Sequence, residues 1–365
     1  MAYKSHNLRG SAPRGVVVTL IALALAACTA APVATPTAAP TAAPTEAPTQ
    51  AGLRLAFLSF AVANSYDAPM LAEAQNAAAA EGATLTVLDA NNSVDAQVAQ
   101  LQDAISSGQY DGIIVQPIFG QALIPDIEAA IAAGAHIAVL DQILGSDLSS
   151  TEKQVDGLAA NVVFSQTEIG RKQGELVVQA CAEFELDPCN LGFIWSLKGV
   201  SALDIAIDQA FNEVIAEHPH IQVVAEGESF YTTHFGLTST ENMLVSNPEI
   251  NMIVAADQGI TGAVIAVANA QRDDIVMIGY GGAAIAYDRI RCSAEGAEGC
   301  DFVVGRQYAT VAQRPATEGR YVVEDLIQAI RSGTPSDARD PVGELPDDGV
   351  VTVDNVGNFT PEWPG

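Results

Sequence analysis

Basic residues are scarce in this chain: Lys and Arg number 16 of 365, against 44 Asp and Glu, for a formal net charge of −28. A surface so acidic repels polyanions, which excludes nucleic acid as a partner and disfavours an anionic ligand. Aromatic residues make up only 6%, with two Trp. Cysteine occurs five times and never as CxxC, and neither an HExxH pair nor a serine elbow is present. A thiol redox centre, a zinc protease and a serine hydrolase therefore have no residues to rest on, and the chain reads as a non-enzyme without metal or cofactor. No apolar run is long enough to span a bilayer.

What is present begins with an export signal. Lys4, Arg9 and Arg14 precede an uncharged apolar run from Val16 to Ala27, which ends in Leu25-Ala26-Ala27-Cys28. That order is a signal peptide over 1–27. The small residues before Cys28 resemble the lipobox of bacterial lipoproteins, which implies cleavage before Cys28 and acylation of its thiol. Residues 28–52 are almost wholly Ala, Thr and Pro, with Pro32, Pro36, Pro40, Pro44 and Pro48 at every fourth position. Such a stretch buries no core and reads as a disordered tether, with a reach approaching roughly 70 Å at about 3.1 Å per residue. Loss of the three basic residues of the signal leaves a mature charge of −31.

The other four cysteines fall in two pairs of equal spacing, Cys181 with Cys189 and Cys292 with Cys300. In an exported chain, even numbers at short matching spacings predict two disulfides pinning loops.

From Leu53 onward, short apolar runs alternate with helical patterns. The first series is strand 53–60, helix 68–81, strand 84–88, helix 96–106, strand 112–116, helix 124–133 and strand 137–140. After Ala160 it restarts: 162–164, 167–181, 191–195, 202–216, 222–225, 236–245, 252–255, 262–270 and 275–279. Short buried strands separated by helices predict two doubly wound parallel sheets, an α/β fold. Ligands of such sheets bind beyond the carboxyl ends of the strands.

The residues at those ends carry a family resemblance. Asp89 to Ser93, Asp111 to Pro117, Leu140-Asp141-Gln142, Gly170 with Gly174, Gly199 to Phe211, Val254 to Gly262 and Thr310 to Gln313 resemble, in order, type I periplasmic sugar-binding proteins, the ribose-binding-like receptors of ABC importers. The resemblance implies two lobes joined by three crossings near Phe164, Gln313 and Pro341. The first lobe is then 53–164 plus 314–340 and the second 165–313 plus 341–357, with helix 316–330 in the first, strand 350–353 in the second, and 358–365 a tail. It also implies a solute in the cleft, lobe closure, and delivery to a membrane permease and its ATPase by a lipid-anchored receptor expected to be a monomer. The same module serving as a sensory receptor is the alternative, and an exported carbohydrate-active enzyme ranks behind both.

The resemblance implies a ligand set. Asn64 and Tyr66 stand where the family places a polar residue and ring-flanking aromatics. Asp141 is an acid directly after an apolar strand, able to accept two hydroxyls, and Gln142 beside it belongs to the set. Asp204, Tyr231 and Asp257 stand at strand ends or early helix positions, and Gln313 lies in the best-matched hinge motif; Gln166 and Trp195 are weaker strand-end candidates. Three charged contacts usual in the family are absent: Gln142 and Ile207 replace arginines, and Gly279-Tyr280-Gly281-Gly282 has glycine where an Asp is usual. That loss points away from ribose and toward another neutral pentose or a hexose.

Overall fold

A computed structural model describes residues 52–294, 300 and 305–365. The expected signal peptide, Cys28 and nearly all of the tether lie outside the described residues. No helix among the described residues is long and apolar enough to cross a membrane.

The chain forms two six-stranded sheets. In the first lobe, β1 (Arg54–Ser59), α1 (Asp67–Ala80), β2 (Thr84–Asp89), α2 (Val94–Ser107), β3 (Gly112–Val115), α3 (Gly120–Ala132), β4 (Ile137–Asp141) and β5 (Ala160–Val163) follow one another. The chain then crosses into the second lobe through α4 (Gln166–Glu183), β6 (Cys189–Trp195), α5 (Ala202–Ile215), β7 (Ile221–Glu228), α6 (Thr233–Ser246), β8 (Met252–Ala255), α7 (Asp257–Asn269), β9 (Val276–Gly281), α8 (Ala284–Cys292) and β10 (Arg306–Ala312). It returns as α9 (Pro315–Ser332), which packs on α1, and β11 (Ala338–Arg339), and crosses a third time to β12 (Val350–Thr352). Strand order is β11-β5-β4-β3-β1-β2 in one sheet and β12-β10-β9-β8-β6-β7 in the other. Every pairing is parallel except β10 with β12.

The strands are buried on both faces because helices cover both. Along β1, Leu55 and Phe57 pack with Met70, Val323 and Leu326 of α1 and α9, while Ala56 and Leu58 pack with Leu101, Leu123 and Ile127 of α2 and α3. The second lobe repeats the plan, with Phe193 and Val254 against Val177 and Phe211, and Ile194 and Ile253 against Met243 and Val267. Side-chain caps start the helices: Ser93, Ser165, Ser201 and Thr232 each accept a backbone N–H three residues on. Cys181–Cys189 and Cys292–Cys300 are disulfide-bonded, with Cα separations of 6.0 and 5.5 Å. The first ties the end of α4 to the start of β6.

Two differences from the sequence reading matter for function. Helix α7 begins at Asp257, five residues before the predicted start, so Asp257 is a helix residue rather than a free loop acid. The segment 358–365 is not a tail. Phe359 and Trp363 are 5% and 3% exposed, and Trp363 donates through Nε1 to the Gly281 carbonyl at 2.7 Å. Glu362 accepts from the Thr317 N–H at 2.9 Å, so the segment ties the second lobe to the first turn of α9. Its apolar side chains lack any helix or strand period, and it is held by these specific contacts rather than by a sheet.

Candidate functional site

The carboxyl ends of both sheets face one pocket, with about 390 Å³ of atom-free space including the solvent at its mouth. From the first lobe come Phe60, Asn64, Tyr66, Asp67, Gln116, Asp141 and Gln142; from the second, Leu203, Tyr231, Gln258, Tyr280 and Gly281; from the second crossing and the C-terminal segment, Gln313 and Trp363. The lobes touch around it. Gln258 Nε2 donates to Asn64 Oδ1 at 3.2 Å, the Ala202 N–H donates to the Ile118 carbonyl at 3.3 Å, and the Phe60 and Tyr231 rings meet edge to face at 5.7 Å.

The floor is a hydrogen-bonded acid cluster. Gln116, the residue after β3, accepts the Phe60 N–H at Oε1 (2.9 Å) and donates from Nε2 to both Asp67 (2.8 Å) and Asp141 (3.1 Å). Tyr66 Oη donates to the other oxygen of Asp141 at 3.1 Å, and the Ala61 N–H donates to Asp67 at 3.2 Å. Gln97 fixes Gln116 in turn, donating to its backbone carbonyl at 2.7 Å. Burial pushes the Asp67 carboxyl up to about 8 and that of Asp141 up to about 6, with the Gln116 hydrogen bond opposing in each case. Glu318, fully buried in the first turn of α9, faces Asp141 and is raised well above the usual carboxylate range by burial and then by that neighbouring charge.

Backbone strain accompanies the site. Asp141 ends β4 with φ 67°, and Phe230 and Tyr231 adopt φ 49° and 53°. Left-handed backbone costs L-residues roughly 1 to 2 kcal/mol each and is typical of ligand-binding positions. Gly281, at φ 128°, is required twice over: the backbone favours glycine, and a Cβ there would lie 2.7 Å from the Trp363 ring. This glycine of the Gly279–Gly282 stretch thus makes room for a tryptophan from the C-terminal segment. That ring meets Tyr66 edge to face at 5.6 Å.

Of the nine predicted ligand-set residues, the structure brings Asn64, Tyr66, Asp141, Gln142, Tyr231 and Gln313 to the pocket. It does not bring three. Asp257, 1% exposed, accepts from Ala283 N–H (2.9 Å) and Thr310 Oγ1 (3.0 Å) and so anchors the start of α8 beneath the pocket; burial lifts its carboxyl to about 7. Asp204 turns back on its own helix entrance, accepting the Leu197 N–H, and is lifted to about 6 by burial. Gln166 is fully buried at the start of α4, away from the lining. Trp195, the weaker candidate, also stays off the lining, stacked on Phe193 at 3.9 Å.

Sequence reasoning missed Phe60, Asp67, Gln116, Leu203, Gln258, Tyr280, Gly281 and Trp363 as lining. The strand-end rule could have found Gln116 and Phe60. Nothing in the sequence pointed to Trp363.

A protein-family model described as a periplasmic binding protein domain matches residues 55–334. The ribose import binding protein of Bacillus subtilis is 24% identical over 246 residues, 67% of this chain and 70% of its own length. The D-apiose import binding protein of Actinobacillus succinogenes is 26% identical over 231 residues, 62% of this chain and 70% of its own. Among solved structures, a galactofuranose binding protein superposes with a TM-score of 0.68 at 18% identity, covering 84% of this chain and 96% of that one. The arabinose-binding component from Shewanella sp. ANA-3 does so with 0.67 at 18%, covering 83% and 93%. With the two-lobed fold and its inter-lobe pocket on one side and a family match over most of the folded residues on the other, the chain belongs to the periplasmic binding protein family.

Proposed function

We propose that this chain is the extracytoplasmic solute receptor of an ABC importer, binding one monosaccharide in the inter-lobe pocket and presenting it to the permease and ATPase subunits. The observation that carries the reading is the pocket itself. Asp141, Gln142, Asn64 and Gln313 supply hydroxyl-pairing groups, and Tyr66 and Tyr231 supply apolar ring faces, from both lobes at once. A solute touching both lobes stabilises the closed form over the open one, the differential affinity that lobe closure requires. Relatives named for ribose, xylitol and D-apiose support a small polyhydroxy solute. Receptor and permease meet at a membrane, and acylation of Cys28 with the Pro-rich tether would hold a monomeric receptor there.

Titration calorimetry against a panel of pentoses, hexoses and polyols tests this. One-to-one binding is expected. Asp141→Ala removes a charge-assisted hydrogen bond of about 1.5 to 3 kcal/mol and should weaken the tightest ligand at least tenfold. If Asp141→Ala and Gln313→Ala both bind it as the wild type does, the site is elsewhere.

A further inference from the structure

The lining is lopsided in charge and in hydrogen-bonding capacity. Of its fourteen residues five are aromatic, two are acidic and none is Lys, Arg or His. Asp67 and Asp141 each take one N–H of the Gln116 amide and one further donor, the Ala61 N–H and Tyr66 Oη respectively, all of them neutral, and Glu318 adds a third acid behind Asp141. Two basic residues close in sequence to pocket elements are engaged elsewhere: Arg314 pairs with Glu344 (2.8 Å) and Glu362 (3.4 Å), and Arg289 donates to Thr261 on the Asp257 side. A separate observation concerns Gln142. Its side chain is in the lining and only 3% exposed, yet its Oε1 acceptor has no hydrogen-bond partner among the described residues. A buried acceptor without a donor is expensive unless a ligand supplies one.

We propose that the solute carries an ammonium group, as an amino sugar does, seated on the pocket side of the Asp67 and Asp141 carboxylates and against the aromatic lining. This rests on the reading of the pocket as a monosaccharide site and specifies its ligand further, where the sequence alone points to a neutral ring. An ammonium brings donors and no acceptor, the complement of the unpartnered Gln142 Oε1 and of carboxylate oxygens that each hold one neutral donor and can accept another. Its charge supplies what the acids lack, since a buried carboxylate is tolerated only when paired or protonated. Aromatic faces add cation–π attraction, stronger in a desolvated site than in water. A neutral sugar leaves the cluster to be neutralised by protons alone, and burial raises Asp67 and Asp141 accordingly. The groups facing that pair are Gln116, Tyr66, Gln142, Glu318 and, more remotely, Asp89, none of them cationic.

Calorimetry on the full chain at pH 6.5, where amines of this type hold their proton, decides it. D-glucosamine and D-galactosamine would be compared with their N-acetyl forms, with D-glucose and D-galactose, and with D-ribose and xylitol. At least one amine should bind tenfold or more tighter than both its acetylated and its parent neutral counterpart. In Asp67→Asn that preference should shrink to within about threefold. Neutral sugars binding as tightly as the amines would overturn the ammonium assignment and leave the monosaccharide site standing. Absence of binding by every compound would overturn both. A preference undiminished in Asp67→Asn would place the cation away from this pair and overturn the assignment as well. The wild-type comparison is decisive by itself should that variant fail to fold.

Discussion

Raising the pH from 5 to 8 without solute should destabilise the fold. Burial lifts Asp67 to about 8, Asp257 to about 7, and Asp141 and Asp204 to about 6. In the unfolded chain these groups titrate near 3.9. Between pH 4 and 8 the folded protein therefore holds protons that the unfolded chain has released. Because the folded values are the higher ones, the stability linked to these groups is complete below about pH 4 and is lost as pH rises through 6 to 8. Each proton retained only by the folded state costs about 1.4 kcal/mol per pH unit. Asp67 and Asp141 are coupled through the Gln116 side chain and through their own charges, so their effects do not add; a combined loss of about 2 to 4 kcal/mol between pH 5 and 7 is expected, a large part of a typical total of about 5 to 15. Urea unfolding at pH 5, 6, 7 and 8, followed by circular dichroism in sugar-free buffer, measures it. A midpoint that stays flat or rises with pH would refute the claim that burial outweighs every opposing interaction at these carboxyls.

Other consequences are separately testable. Trp363→Ala removes the bond to the Gly281 carbonyl and the contact with Tyr66 and should cost about 3 to 5 kcal/mol in chemical denaturation, with weaker solute binding alongside. Replacing Cys181 and Cys189 together by Ser opens a loop with a sequence separation of 8 and should lower stability by about 2 to 3 kcal/mol, whereas an unchanged midpoint would mean the bridge adds nothing. Cys28→Ser should shift the exported protein from the membrane to the soluble fraction, and a soluble wild type bearing an unmodified Cys28 thiol would count against acylation.

How far the sequence speaks is shown by two aspartates. Asp141 and Asp257 give the same signal, an acid within two residues of a buried strand. Asp141 is the last residue of β4, with left-handed backbone, and its carboxylate lines the pocket. Asp257 is already the first residue of α7, and its carboxylate is taken up by Thr310 and Ala283. The difference is where a helix starts, and helix starts are what periodicity locates least well. The alternation of strands and helices was legible because burial on both faces leaves long apolar runs, and the two cysteine pairs were legible from spacing alone. Trp363 was not, since its place depends on the pairing of Glu362 with Arg314 and Thr317 and on the missing Cβ of Gly281, contacts between residues distant in sequence. Asp67 was hidden by a bland explanation, an acid in a first helical turn, and only its shared donor with Asp141 shows it to be part of the site.

The most direct test of the account is a crystal structure of the chain grown with the tightest-binding member of the sugar panel. One solute molecule should lie between the lobes, with a polar atom within hydrogen-bonding distance of the Asp141 carboxylate and its ring flanked by Tyr66 and Tyr231. A solute bound at any other surface, with the inter-lobe pocket holding only water, would contradict it.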